Sequence, residues 1–369
     1  MVRRPTPDSQ VDATSPFARA QGVVGLYGDP AVTWSVVLQA TFREPVDRRR
    51  GIQALSRLVD VHPHLGLPPT METFDRVTLP ALREEYANRP YAEGEPLIRI
   101  GVSLDGRDAV IACHHGVMDG IGMLSLVEAI GGSPVRSLAR GISSRPASRP
   151  FLRMALERLW SALTSPPARF ASRRADGASP PGDLLEVLPC AASVTTATLV
   201  SAARSVVADW NGGSPKRRRP VVFAIGASRR ASGVQPAPDR CTAYLRLIDV
   251  PDCTPAHARE LLADCLPEAD FPETRGGGLG PLVTRALASR LGATALISHL
   301  GRVDSADLQS LALFPATGGP NAVAIGVAQV GGESMLTVRA KAADFDRASV
   351  RDLAARLTLA LEKAAQYGS

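Results

Sequence analysis

Two adjacent histidines and an aspartate in one short segment are the residues of this chain best suited to acid–base chemistry. The segment, residues 114–120, reads His-His-Gly-Val-Met-Asp-Gly. A neutral imidazole can remove a proton from an attacking hydroxyl or amine, because its unperturbed pKa lies near neutral pH. Asp119 follows His115 by four residues and can either hydrogen-bond the imidazole or pair with an arginine and brace the loop. The sequence leaves both roles open. Candidate arginine partners are Arg43, Arg99 and Arg302.

A strand hairpin and a helix are predicted to hold this segment. Residues 97–104 and 107–114 are apolar-rich runs joined by Asp105-Gly106, a pair favoured in tight hairpin turns. Residues 121–130 then predict a short, largely buried helix. The segment is therefore expected at a corner between a strand and a helix.

The alternation of side chains along a strand separates the two histidines. His114 and His115 face opposite sides, so only one of them can face a given site. Gly116 and Gly120 relax the backbone where the strand ends. His115 is assigned as the general base.

The segment resembles the HHxxxDG motif of the chloramphenicol acetyltransferase superfamily, to which nonribosomal-peptide condensation domains and polyketide-associated acyltransferases belong. The resemblance covers most of the chain. Residues 34–42 resemble the family's opening strand, which a helix through Leu58 follows. Residues 297–302 are similar to a serine-asparagine-leucine-glycine segment of the second half, with His299 in the asparagine position.

The resemblance implies an α+β fold of two similar halves, with an active-site tunnel between them that admits donor and acceptor from opposite faces. Each half is expected to contain helices and a mixed, largely antiparallel sheet, since predicted strands are often neighbours in sequence. The halves are placed at residues 1–165 and 183–369. The linker is placed at 166–182, in a stretch rich in proline, serine, arginine and alanine.

The resemblance also implies roles for individual residues. His115 acts on the acceptor nucleophile, Asp119 is largely structural, Gly120 is a backbone requirement and His114 is a supporting residue. The residues expected to bind substrate are Gly116, Ser298 and His299. For Ser298 a loop hydrogen bond and help for a tetrahedral oxyanion both remain open, and the imidazole N–H of His299 can still donate a hydrogen bond.

The function implied is acyl transfer from a thioester to a hydroxyl or amine, forming an ester or amide in specialised-metabolite or lipid biosynthesis. The expected co-substrate is acyl-coenzyme A or a phosphopantetheinyl thioester, with no permanently bound cofactor. Expected partners are a small alcohol or amine acceptor and an acyl or peptidyl carrier protein. The alternative is a catalytically silent member of the same fold that binds a carrier protein or scaffolds a biosynthetic assembly.

Length and composition agree with two halves in one chain. The chain has 369 residues, 45% of them hydrophobic, enough for a sizeable core. It has no apolar run of membrane-spanning length, and its start lacks the apolar stretch of a secretion signal. We therefore expect no integral membrane association, a cytoplasmic location and a monomer.

Cysteine spacing and charge narrow the remaining classes. The five cysteines are scattered without the paired spacing of a zinc site, so no metal is expected. Cys113 is predicted to be a core residue, with a nucleophile beside His115 as the alternative. The net charge is +6, with basic clusters at residues 216–219 and 169–174. Few aromatics for base stacking argue against nucleic acid, so these clusters are assigned to solvated loops or to attraction of a phosphate-bearing donor.

The glycine-rich residues 275–280 follow no apolar strand and lack the lysine-serine ending of a phosphate loop, so we predict a flexible lead into a helix. Elsewhere in the second half, periodicity predicts strands and helices. The strands are at 184–188, 220–225, 242–250, 293–297, 321–330 and 334–339, and the helices are at 192–210, 256–266, 279–291 and 346–366.

Overall fold

The computed structural model describes residues 15–24, 32–142, 145–147, 149–174, 179–190, 193–212, 219–269, 288–317 and 323–366. Three predicted features lie wholly or mostly outside these residues: the basic run 216–219, the glycine-rich run 275–280 and the helix at 279–291.

The helices are α1 (Pro16–Val24), α2 (Arg48–Val61), α3 (Leu79–Asn88), α4 (Leu124–Gly131), α5 (Phe151–Thr164), α6 (Thr196–Trp210), α7 (Pro255–Asp264), α8 (Ala288–Leu291) and α9 (Arg347–Gln366). The strands are β1 (Ser35–Phe42), β2 (Met71–Phe74), β3 (Ile98–Ser103), β4 (Asp108–His114), β5 (Arg136–Ser137), β6 (Asp183–Cys190), β7 (Phe223–Ser228), β8 (Thr242–Leu247), β9 (Ala295–Asp304), β10 (Leu308–Phe314), β11 (Val323–Val330) and β12 (Glu333–Lys341).

The first sheet has the strand order β10-β1-β4-β3-β2. Its pairings are antiparallel except for β2 with β3. The β3–β4 hairpin turns at Gly106, which has a φ of 74° that suits glycine. Strand β10 comes late in the chain yet pairs with β1, so the first sheet is completed only near the C-terminus.

The second sheet has the order β6-β12-β11-β9-β7-β8, with β5 paired to β9. Strand β9 runs parallel to both β11 and β7, and the other pairings are antiparallel. Both sheets are therefore mixed and largely antiparallel. The predicted α+β fold class is confirmed.

Three apolar clusters hold the layers together. One lies between the second sheet and the helices α6 and α9, and it contains Val350, Leu353, Leu357 and Leu361 of α9. Another joins one face of the first sheet to α2 and α4. The third lies on the opposite face of the first sheet, between that sheet, α3 and β6, and so joins the two sheets to each other.

Buried polar contacts support this junction. The guanidinium of Arg339 on β12 is 2% exposed; it donates to Asp183 Oδ2 at 2.7 Å and to the carbonyl oxygens of Ser35 and Ala87 at 2.5 and 3.0 Å. Because β12 and β6 belong to the second sheet while Ser35 begins β1, one arginine ties both sheets together.

The segment predicted as a linker packs on the second sheet's helices where it is described. Phe170 is buried, Arg173 stacks on the Trp210 ring at 3.7 Å, and the guanidinium of Arg174 donates to the Ala342 carbonyl at 2.8 Å. The division into halves at residues 166–182 stays a prediction.

Two strands near the site, β9 and β10, differ from the sequence-based expectation. A strand was predicted at 293–297, whereas β9 continues to Asp304, with an irregularity near Gly301, whose φ is 72°. Strand β10 was not predicted at all.

Candidate active site

The motif segment leaves β4 at the junction of the two sheets. The His115 backbone N–H donates to the Trp34 carbonyl at 2.7 Å, which extends the β4–β1 ladder by one residue. Cys113 lies in the cluster that joins the sheet to α2 and α4, whereas Ala112 lies in the cluster on the opposite face. The two faces of β4 are therefore separated as the alternation predicted.

A cavity of about 110 Å³ lies between the sheets at this point. Residues of α1, β1 and the motif line one side, and residues of β7, β8 and β9 line the other. The polar lining residues that matter for chemistry are His115, Asp119, Arg240, Thr242, Tyr244 and Ser298. Both sheets thus contribute to one cavity.

His115 reaches this cavity through its Nε2 atom, which lies 3.1 Å from the Tyr244 hydroxyl. The pKa of His115 is lowered to about 4. Burial is the largest cause, followed by the positive charge of Arg240, while the negative charge of Asp119 acts in the opposite direction. His115 is therefore neutral at pH 7, the state that a general base requires.

Asp119 is a connector between the motif loop and the second sheet. Its carboxylate accepts hydrogen bonds from the Arg230 guanidinium at 2.8 and 2.9 Å. It also accepts from the Gly122 and Cys241 backbone N–H groups and from the Thr242 hydroxyl, each at 2.8 Å. These donors occupy both oxygens, so the carboxylate braces the loop, and His115 donates no hydrogen bond to it.

The arginine partner of Asp119 differs from all three sequence candidates. It is Arg230, which follows β7 and is also paired with Asp239. Arg99 instead donates to the carbonyl oxygens of Arg89 and Pro90. Arg43 and Arg302 make no side-chain ion pair with a described residue. The sequence did not reveal this contact, since the partners are 111 positions apart.

His114 lies outside the cavity. It is fully buried, its Nδ1 accepts from the Gly116 N–H at 3.1 Å, and its ring contacts the Tyr91 ring edge-on at 5.3 Å. Burial, then the neighbouring His115 and Arg99, lower its pKa to about 3. These contacts place His114 as a support for the turn after β4.

Ser298 and His299 separate in the same way on β9. Ser298 lines the cavity together with Leu296, two residues earlier. His299 follows the other parity, with Ile297, and its Nδ1 lies 3.3 Å from the Thr196 hydroxyl of α6. Burial lowers the pKa of His299 to about 4. The structure thus brings Ser298 to the cavity and leaves His299 behind the sheet, unlike the expectation that both contact substrate.

The motif glycines serve packing more than dihedral freedom. A Cβ on Gly116 would lie 2.1 Å from the Ala20 carbonyl oxygen of α1, and Gly116 is not among the cavity-lining residues. A Cβ on Gly120 would lie 3.2 Å from Leu300 and Leu313 side-chain atoms, and Gly120 lines the cavity. Neither glycine has a positive φ. The expected substrate contact of Gly116 is therefore replaced by a helix contact.

Sequence reasoning missed the residues that β8 and the preceding loop supply. The β8 sequence alternates, with Ala243 and Leu245 in the core and Thr242, Tyr244 and Arg246 on the other face. This alternation is visible in the sequence, and a strand was predicted at 242–250. Its polar face meets the cavity instead of bulk solvent, and only the three-dimensional fold shows that.

Cys113 is a core residue. It is fully buried, and burial raises the pKa of its thiol far above the ordinary value, so a thiolate nucleophile is disfavoured there. Across the described residues, no group of three histidine, cysteine or acidic side chains is arranged to hold a metal ion. Nor does any described helix combine the length and apolarity needed to cross a membrane.

Comparison with known proteins identifies solved structures with a similar fold. No family model and no curated protein matches the sequence. Among solved structures, the first condensation domain of the calcium-dependent antibiotic synthetase, in complex with a substrate analogue, is similar at 15% identity and a TM-score of 0.61, over 94% of this chain and 95% of that one.

Two further structures extend the comparison. The starter condensation domain of rhizomide synthetase in complex with C8-CoA aligns at 14% identity and a TM-score of 0.58, over 96% and 94% of the two chains. The epimerization domain from the third module of tyrocidine synthetase B aligns at 13% identity and a TM-score of 0.52, over 96% and 97%. The chain therefore has the two-lobed α+β fold of condensation domains, as the motif resemblance predicted.

Proposed function

We propose that this protein is an acyltransferase that moves an acyl group from a thioester to a hydroxyl or amine acceptor, with His115 as general base. The observation that carries the proposal is the position of His115 Nε2 in a cavity that both sheets line, on a fold shared with a condensation domain in complex with C8-CoA. That neighbour supports an acyl-coenzyme A or a carrier-bound thioester as donor and a role in natural-product biosynthesis.

The proposed step begins when Nε2 of His115 accepts the proton of the acceptor hydroxyl or amine as it attacks the thioester carbonyl. The tetrahedral intermediate carries an oxyanion, and Ser298 on the opposite wall of the cavity is the proposed hydroxyl donor to it. The intermediate then expels the thiolate, which takes the proton back from the imidazolium. No acyl-enzyme intermediate is needed.

Asp119 contributes to this mechanism only through position. Its carboxylate holds the motif loop against Arg230, Cys241 and Thr242, so that His115 and the β8 residues keep a fixed separation. Such preorganisation contributes to rate because a small misplacement of a catalytic group lowers turnover substantially.

The test measures free-thiol release from a panel of acyl-coenzyme A and acyl-N-acetylcysteamine donors, with pooled alcohols and amines as acceptors. General-base action contributes about a hundred- to ten-thousand-fold, so His115→Ala should lower turnover by that order. His257→Ala is the matched control, because His257 is half-exposed on α7, away from the cavity. Unchanged turnover in His115→Ala would remove His115 from the mechanism.

One observation favours a second function, a catalytically silent domain that binds a carrier protein. The Tyr244 hydroxyl is already hydrogen-bonded to Nε2 of His115, and the cavity of about 110 Å³ is small for two substrates. This alternative predicts tight binding of an acyl or peptidyl carrier protein without acceptor-dependent thiol release from the loaded carrier.

A further inference from the structure

Arg240 is a charged side chain of the cavity for which no described residue supplies a counter-ion. It lines the cavity with His115. The two carboxylates that line the same cavity form ion pairs with other arginines: Asp119 pairs with Arg230, and Glu268 pairs with Arg158. Arg246, a further lining arginine, donates to the Gly292 carbonyl at 2.7 Å. The cavity therefore holds a positive charge that a ligand can neutralise.

The backbone on both sides of Arg240 is fixed by the motif aspartate. Asp239 pairs with Arg230, which in turn binds Asp119. On the other side, the Cys241 backbone N–H donates directly to Asp119 at 2.8 Å. Arg240 is thus presented to the cavity by the same ion-pair network that braces the loop of His115. The Arg240 side chain is exposed although it lines the cavity, so a ligand can reach it from solvent.

We propose that Arg240 binds a carboxylate carried by one of the two reacting small molecules, next to the atom that His115 deprotonates. This inference rests on the proposed function and assigns its substrate class. Arginine is suited to the task because its planar guanidinium matches a carboxylate with two parallel hydrogen bonds. The phosphate of a pantetheine arm does not fit, since the full length of the arm separates that phosphate from the thioester at His115.

Two sources can supply the carboxylate. One is a free amino or hydroxy acid that acts as acceptor, and the other is the distal carboxylate of a dicarboxylic acyl group on the donor. The first source has a specific consequence: an acceptor tethered to a carrier protein through its own carboxyl group has no such charge to offer. An acceptor with a single carboxyl group that binds Arg240 is therefore a free acid.

The bound carboxylate also acts on the base. The charged and titratable groups that face His115 are Arg240, Asp119, Tyr244 and His114. Of these, Arg240 carries the positive charge that opposes formation of the imidazolium. A substrate carboxylate on Arg240 cancels this charge, so His115 becomes a stronger base when the substrate is present.

The experiment compares matched pairs of reactants in the thiol-release assay. In the acceptor arm, L-amino acids and 2-hydroxy acids are compared with their methyl esters, using octanoyl-coenzyme A as donor. In the donor arm, succinyl-coenzyme A is compared with butyryl-coenzyme A, using a neutral alcohol and a neutral amine as acceptors. The enzymes are wild type, Arg240→Gln, Arg240→Lys and, as control, Arg302→Gln, an exposed arginine of β9 that does not line the cavity.

We expect kcat/KM of the wild type to favour the free carboxylate about tenfold to a hundredfold in one of the two arms, the range of a hydrogen bond to a charged group. The preference should vanish in Arg240→Gln, survive in part in Arg240→Lys and persist in Arg302→Gln. His115-dependent turnover with no preference in either arm would overturn the inference and leave the proposed function standing.

A binding measurement decides the case in which no pair releases thiol and the proposed acyl transfer itself fails. Calorimetric titration of wild type and Arg240→Gln with the pooled amino acids and with succinate then tests the anion site directly. Binding that Arg240→Gln abolishes supports the site, and equal or absent binding in both proteins rejects it.

Discussion

The Tyr244 hydroxyl lies 3.1 Å from Nε2 of His115, so a residue of the second sheet hydrogen-bonds the proposed base of the first. In the tautomer with an unprotonated Nε2, the tyrosine donates this bond. An acceptor must take the same place before its proton can be transferred. Tyr244 therefore competes with the acceptor in the resting protein.

Tyr244→Phe removes the competing hydroxyl while it keeps the ring. The net contribution of one hydrogen bond is roughly 0.5–1.5 kcal/mol, so we expect KM for the acceptor to fall by up to about tenfold. The change in kcat should be smaller than the change in KM. Initial rates over a range of acceptor concentrations measure this. A hundredfold loss of kcat would instead place the tyrosine in the chemical step.

Asp119→Asn is expected to destabilise the protein as well as slow it, because Arg230 loses a nearly buried counter-ion. Removal of one partner from a buried ion pair costs about 3–5 kcal/mol, and we expect the lower end because Asp239 still pairs with Arg230. Urea unfolding measures the loss. Asp352→Asn, at a surface pair 41% exposed on the acidic side, serves as control and should change stability little. Wild-type stability of Asp119→Asn would contradict the bracing role.

Gly116→Ala tests the contact between α1 and the motif. Its Cβ would lie 2.1 Å from the Ala20 carbonyl oxygen, so the helix or the turn must shift, at a cost of about 1–3 kcal/mol. Gly332→Ala is the matched control, since a Cβ there meets open space. Thermal unfolding of both variants gives the comparison, and equal midpoints would show that α1 does not press on Gly116.

Acid should destabilise the fold through its buried histidines. The folded-state pKa is about 4 for His299, below the ordinary value of 6.5, because burial disfavours the imidazolium. Between these two values the unfolded chain binds more protons, so stability falls as pH drops from about 6.5 to 4. The free energy of unfolding in urea at pH 7, 6 and 5 should decline less steeply in His299→Gln, with half-exposed His257→Ala as control. Parallel profiles for wild type and His299→Gln would argue against burial of this group.

Local patterns predicted much of the fold. Asp105-Gly106 marked the hairpin, and the spacing of Val350, Leu353, Leu357 and Leu361 marked the last helix, since both signals lie within a few residues. The alternation along β4 also predicted that His114 and His115 separate. Strand β10 escaped notice because it is stabilised by pairing with β1, more than 260 residues away in sequence.

The candidate site was only partly predictable, for the same reason. His115 and Ser298 could be named from their motifs. The sequence did not identify Arg230, Arg240 and Tyr244, because they approach Asp119, His115 and the cavity only when residues 230–246 pack against the motif loop. His299 illustrates the opposite error: its neighbours suggested a substrate contact, and the parity of an unbroken β9 turns it toward α6.

The reciprocal placement of β10 in the first sheet and β5 in the second has a consequence for protein engineering. A recombinant fragment that stops before β6 would lack β10 and expose a long edge of β1, a template for aggregation. The complementary fragment would miss β5. Module exchange in this chain therefore has to keep α1 and both sheets together, and split versions should fold only when both fragments are co-expressed and these strands pair between them.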